Sequence, residues 1–193
     1  MKKRFLLKLL AVSAFVASLG TISMAAEPVT IKIGASPVPA GDILNFVKPK
    51  LAEKGINLKI IEFSDYIQPN LALSDKEIDA NFFQHKPFMD KFAADRGLKL
   101  HAMPGIFIAP IALYSNKIKD VKEIKKGDRI TIPNDPTNGG RALQLLASAG
   151  LLKLKDNVGH SASIEDIVEN PLKLKIIEVE AATLPRTLDD VKA

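Results

Sequence analysis

The sequence predicts an α/β protein with mixed, mostly parallel sheets, and three observations carry that expectation. Short apolar runs alternate with segments whose apolar residues recur at helical spacing. Two of those runs, residues 58–63 and 174–179, are apolar at most positions, as strands buried on both faces tend to be. The polar motifs richest in chemistry follow strands, at the carboxyl edge where open α/β sheets bind ligands.

The elements follow in order. Val29, Ile31 and Ile33 alternate with Thr30 and Lys32, which predicts a first strand ending at Gly34. Pro37, Pro39 and Gly41 form a loop, and Ile43, Phe46, Val47 and Leu51 mark a helix closed by Gly55 in the left-handed conformation. Pro49 inside that helix predicts a kink or a shifted frame. Residues 58–63 form the second strand, residues 71–76 a helical stretch and residues 78–83 the third strand. A helix over 88–96 stops at Gly97, and residues 98–103 and 106–114 read as extended apolar segments. A short strand over 130–133 leads into a helix capped by Thr137 or Asn138 and running to Gly150. Residues 156–159 read as a loop, 164–169 as a short helix and 174–179 as a strand.

One pattern recurs. Lys59-Ile60-Ile61-Glu62 follows Leu58, and Lys175-Ile176-Ile177-Glu178 follows Leu174. After the first copy come a Pro-containing loop, a Leu-rich helix, and Glu77-Ile78-Asp79-Ala80 feeding the third strand. After the second come Pro185, Leu188 and Asp190-Val191-Lys192-Ala193, where the next strand is expected and the sequence stops. The expectation is a chain truncated at its C-terminus.

Charge narrows the function classes. The 193 residues hold 27 Lys plus Arg against 22 Asp plus Glu, a formal net charge of +5, and the pI is near 9.3. Lys2, Lys3, Arg4 and Lys8 precede an apolar and small stretch over residues 9–19, followed by Thr21, Ser23, Met24, Ala25 and Ala26. That is the make-up of a secretory signal peptide over residues 1–26, cleaved after Ala25 or Ala26. The rest carries 23 basic against 22 acidic residues, interspersed in sign, so nucleic acid is not an expected partner. With no cysteine there are no disulfides, no thiolate metal site and no lipid-bearing N-terminal Cys.

Three motifs could carry a function. The first is Pro133-Asn134-Asp135-Pro136-Thr137-Asn138-Gly139-Gly140-Arg141, between a strand and a helix. Free N–H groups and the helix dipole there favour an anion, Gly139 and Gly140 would let it approach, and Arg141 can grip a carboxylate with two bonds. The second runs from Asn81 through Phe83 and His85 to Phe88; an extended backbone would put Asn81, Phe83 and His85 on one face. That face suits an apolar side chain with a polar rim, and no metal, because no second His or carboxylate lies at ligand spacing. The third is Tyr66 with Asn70, after the second strand. No catalytic residues are expected: Gly159-His160-Ser161-Ala162-Ser163 lacks the closing Gly of a nucleophile elbow, and Asp189-Asp190 reads as a solvated helix end.

These motifs, in this order and spacing, resemble the MetQ/NlpA-type methionine-binding proteins of bacterial ABC importers, over about residues 31–191. The resemblance implies a two-lobed, type II periplasmic-binding-protein fold with its first lobe in residues 27–112 and its second in 113–193. It implies further that the C-terminal return to the first lobe is missing, leaving that lobe incomplete. Arg141 would hold the ligand α-carboxylate with Asn138 beside it. Tyr66, Phe83, His85 and Phe88 would enclose the thioether, and Asn81 and Asn134 would shape the cleft. The implied partners are methionine and a permease–ATPase complex at the inner membrane, for a monomer without cofactor. Family members usually carry a lipidated Cys after the signal, so this chain is expected in the periplasm without a lipid anchor. The alternative expectation is a non-transport binding or surface protein of the same fold, taking another small amino acid or a methionine peptide.

Overall fold

The computed structural model describes residues 27–193, so the leader expected over residues 1–26 lies outside the described residues. The chain runs β1 (Val29–Ala35), α1 (Asp42–Ala52), β2 (Ile56–Glu62), α2 (Gln68–Ser74), β3 (Ala80–Phe82) and α3 (Lys86–Arg96). It continues through β4 (Arg129–Pro133), α4 (Pro136–Ser148), β5 (Lys153–Leu154), β6 (Ile167–Glu169) and β7 (Lys175–Val179). β1 lies between β2 and β3, parallel to both; β4 and β7 pair in parallel; β5 and β6 form a small antiparallel pair. This is the mixed, mostly parallel α/β arrangement that the sequence predicts.

The internal echo is a repeat in space. Ile60 pairs with Ile33 across β1–β2, and Ile176 pairs with Ile130 across β4–β7. On the other edge of β1, the Asp79 N–H donates to the Lys32 carbonyl at 2.9 Å before β3 begins. On the corresponding edge of β4, the Lys192 N–H donates to the Arg129 carbonyl at 2.8 Å, and the Thr131 N–H to the Ala193 carbonyl at 3.0 Å. Residues 190–193 thus take the place beside β4 that residues 77–80 take beside β1.

Two separate clusters form the core. Ala35, Ala40, Leu44 and Leu58 pack between α1 and the first sheet. The larger cluster includes Ile130 and Ile132 of β4, Leu143 and Leu146 of α4, and Leu151, Leu154, Ala162 and Leu174. Between Gly97 and Ser115 the chain has neither helix nor strand, so the apolar segments read as extended join no sheet. Apolar residues make a strand only where a neighbouring strand takes up the backbone, and here no ladder forms. This stretch instead joins the halves: Phe107 meets the Phe82 ring at 5.7 Å, while Ile111 and Leu113 pack on the larger core.

Other departures are local. α1 passes through Pro49 as one helix; the carbonyl that proline leaves without a donor belongs to Asn45, which is exposed and open to water. Gly55 has φ +75° and closes the turn after that helix as predicted. The short helix expected over 164–169 is a 3₁₀ turn, Ile164–Asp166, followed by β6, because Ser163 and Asp166 form a capping box that closes after one turn.

Candidate functional site

Two helix N-termini converge between the halves. α3 opens behind His85, whose Nδ1 accepts the Phe88 N–H at 3.0 Å. That bond leaves the ring proton on Nε2, which lies 3.0 Å from Asn138 Oδ1 in the first turn of α4. Asn138 Oδ1 also accepts from Arg141 Nη1 at 3.0 Å, and Arg141 Nη2 donates to the Ala109 carbonyl at 2.9 Å. One amide oxygen therefore joins an imidazole from the first half to a guanidinium from the second. Arg141 forms no ion pair among the described residues, which leaves its charge for an anion.

The helix α4 is capped two or three residues earlier than the sequence suggests. Asp135, rather than Thr137 or Asn138, is the N-cap: its Oδ1 accepts from the Asn138 N–H and the Thr137 hydroxyl, each at 2.8 Å. Asp followed by Pro at the first helical position is the signal that could have located it. The adjacent glycines also meet a packing demand that the sequence does not show. A Cβ on Gly140 would sit 2.0 Å from the His160 carbonyl oxygen, and one on Gly139 2.7 Å from that of Pro133. Both glycines let α4 press against backbone, and that contact fixes where Arg141 emerges.

On the facing side, three rings form a triangle. Tyr66 lies 5.8 Å from Phe83 and 6.2 Å from Phe88, and Phe83 lies 6.1 Å from Phe88, at tilted and edge-on angles that aromatic pairs favour. Phe88 is buried and stacks on Phe92. Burial pushes the Tyr66 phenol above its ordinary value of 10.0, and the nearby Asp135 carboxylate raises it further. A cavity of about 280 Å³ opens beside these rings, lined by Tyr66, Phe88, Asn134 and Asp135 among others.

The eight residues singled out by sequence thus fall into connected groups. His85, Asn138 and Arg141 form one hydrogen-bonded row. Tyr66, Phe83 and Phe88 form the aromatic triangle, and Asn134 shares a cavity with two of its members. Asn81 stands apart. β3 ends at Phe82 and the chain bends at Phe83, so Asn81, Phe83 and His85 do not share the single face expected of an extended run. The Asn81 amide bonds instead to Asn70 and to the Pro69 carbonyl. Among the described residues no group of three or more His, Asp or Glu gathers to hold a metal, and no helix is long and apolar enough to cross a membrane.

Comparison with known proteins follows the same lines. Residues 31–193 match the family model described as NlpA lipoprotein. The chain belongs to the NlpA lipoprotein family. It is 52% identical over 163 residues to the probable D-methionine-binding lipoprotein MetQ of Vibrio cholerae, covering 83% of this chain and 60% of that relative. It superposes with a TM-score of 0.78, at 44% identity, on a nutrient-binding protein from Burkholderia cenocepacia bound to methionine, covering 84% of this chain and 69% of that one. A periplasmic substrate-binding protein of an ABC transporter from Coxiella burnetii gives a TM-score of 0.79 at 40% identity, covering 84% and 68%. The chain thus spans about 60–70% of the length of these relatives. The Vibrio relative is named a lipoprotein, whereas this sequence contains no cysteine.

Proposed function

We propose that this chain is the solute-binding component of a methionine ABC importer, capturing methionine in the periplasm and passing it to a permease–ATPase complex at the inner membrane. The observation that carries the reading is the pairing of a guanidinium without an acid partner with an aromatic triangle across one cleft. An amino acid with an apolar tail has that same polarity from end to end. The fold's likeness to a relative holding methionine supports the choice of ligand.

The lobes we assign to residues 27–112 and 113–193 close on the ligand from opposite sides. Arg141 exchanges its bond to the Ala109 carbonyl for the α-carboxylate, forming a charge-assisted pair in place of a neutral one. Asn138 stays beside it, held by Asp135 through the side-chain amide at 3.0 Å. Tyr66, Phe83 and Phe88 pack against the thioether, whose polarizable sulfur suits ring contacts, and His85 closes the polar rim. Asn134 shapes the wall of the cavity.

Titration calorimetry tests this. L-methionine should bind the wild-type chain, and Arg141→Ala should weaken it by about 1.5–3 kcal/mol, ten- to hundredfold or more. Arg141→Lys should recover only part of the loss, because an ammonium cannot reproduce the planar fork. Absence of methionine heat with Arg141 intact would overturn the ligand assignment.

A further inference from the structure

Behind the aromatic triangle lies a cluster of three side-chain amides that no step of ligand capture uses. Asn70, on α2, is fully buried. Its Nδ2 donates to Gln84 Oε1 at 2.8 Å, and its Oδ1 accepts from Gln84 Nε2 at 2.7 Å, a reciprocal amide pair. The same Oδ1 accepts from Asn81 Nδ2 at 2.9 Å. Gln84 Nε2 donates again, to Asn81 Oδ1 at 3.2 Å, and Asn81 Nδ2 to the Pro69 carbonyl at 3.1 Å. Both hydrogens on the Asn81 and Gln84 amides are thereby spent, so no amide can flip without setting like groups against each other.

Gln84 sits between Phe83 and His85 in the loop joining β3 to α3. With Gln84 drawn inward onto Asn70, its two neighbours are turned the other way, Phe83 toward Tyr66 and Phe88 and His85 toward Asn138. On one side the loop meets the buried Phe88, Met89 and Phe92 of α3; on the other, the amide cluster fixes it through directional hydrogen bonds.

We infer that Asn70, Gln84 and Asn81 are positioning residues: their amide network sets the register of the Phe83–His85 loop and with it the methionine affinity of the cleft. The inference rests on the binding function proposed above. Its physical signature is a need for both a donor and an acceptor at Asn70. Asp at that position keeps the shape and the acceptor but puts a second oxygen where the Nδ2 donor was, so one carboxylate oxygen faces Gln84 Oε1. A Gln84 flip then only moves the conflict to Asn81 Oδ1. Protonating the carboxyl restores an O–H donor, and burial raises the pH at which this happens.

The test compares wild type, Asn70→Asp and Gln84→Glu at about pH 7.5 and about pH 5. In the ligand-free protein, the Phe83 and Tyr66 ring resonances of both variants should be displaced from wild type at the higher pH and return at the lower. The methyl resonances of Ile130 and Leu143, in the other core, should stay in place throughout. L-methionine affinity should fall roughly tenfold or more at the higher pH and recover toward wild type in acid. Ring resonances that never move, or that move without returning in acid, would overturn the inference. Loss of the wild-type far-UV circular dichroism by both variants at the higher pH would also overturn it, by making the network a requirement of folding. Wild-type protein that takes up no methionine while the ring resonances behave as expected would remove the ligand assignment and leave the positioning role standing.

Discussion

The two halves of the molecule build one cleft by different physical means. The second half holds its contribution on a long helix wedged against a large apolar core: Ile130 is 0% and Leu143 1% exposed, and Gly140 brings α4 onto the His160 backbone. The first half has a three-stranded sheet over a small cluster, and it presents Phe83 and His85 from a loop held by buried amides. Apolar packing gives many weak, non-directional contacts that tolerate small shifts. An amide network gives few contacts, each with a direction, and fails abruptly when one partner is lost. The guanidinium side of the cleft is therefore the mechanically robust side, and the aromatic side depends on individual hydrogen bonds.

The contrast can be broken at its strongest point first. Leu143→Ala removes a side chain from the larger core and should destabilise the protein by about 3–4 kcal/mol in urea unfolding. Leu44→Ala, at 7% exposure in the smaller cluster, should cost about 2 kcal/mol; equal losses would show that the two cores do not differ in packing. Gly140→Ala forces a methyl onto the His160 carbonyl and should cost about 1–3 kcal/mol, with methionine affinity falling as α4 shifts. Asp135→Ala deletes the cap that orients Thr137 and Asn138, with an expected loss of about 1 kcal/mol in thermal unfolding.

Two pH dependences probe the halves separately. The Tyr66 phenol is raised above 10.0, so the folded state holds its proton more tightly than the unfolded chain. The stabilisation is complete below pH 10.0 and is lost as pH rises through the higher folded value. Tyr66→Phe should accordingly reduce the loss of stability in alkali, measured by urea midpoints across that range. The Asp166 carboxyl is lowered from 3.8, first by the Ser163 N–H and then by Lys155 and the Ser163 hydroxyl. Its contribution is present above pH 3.8 and lost as pH falls through the lower folded value, so Asp166→Asn should flatten the acid limb. The group is exposed, and this effect should be the smallest of the set.

Much of the fold was legible because the signals are local. The alternation in β1, the left-handed Gly55 and the repeated Lys-Ile-Ile-Glu strands each depend on residues close in the chain. Whether the stretch from 98 to 114 pairs in a sheet was not legible for the converse reason, since apolar composition does not say whether a partner strand exists. At the site, Tyr66, Phe83, His85 and Arg141 could be named from residue type and from position after a strand. The importance of Gln84 could not, because an amide is ordinary on a surface and becomes a constraint only opposite another buried amide.

By itself the sequence determined the α/β class and the family to which the chain belongs. These follow from periodicity, charge and motif order, all carried by neighbouring residues. Only the tertiary structure decided that Asn138 joins His85 to Arg141, that Gly139 and Gly140 serve packing, and that Asn81 turns toward Asn70 rather than the cleft. Each is a contact between residues distant in the chain or a consequence of a bend, and hydrogen bonds form to whatever acceptor the fold brings within about 3 Å.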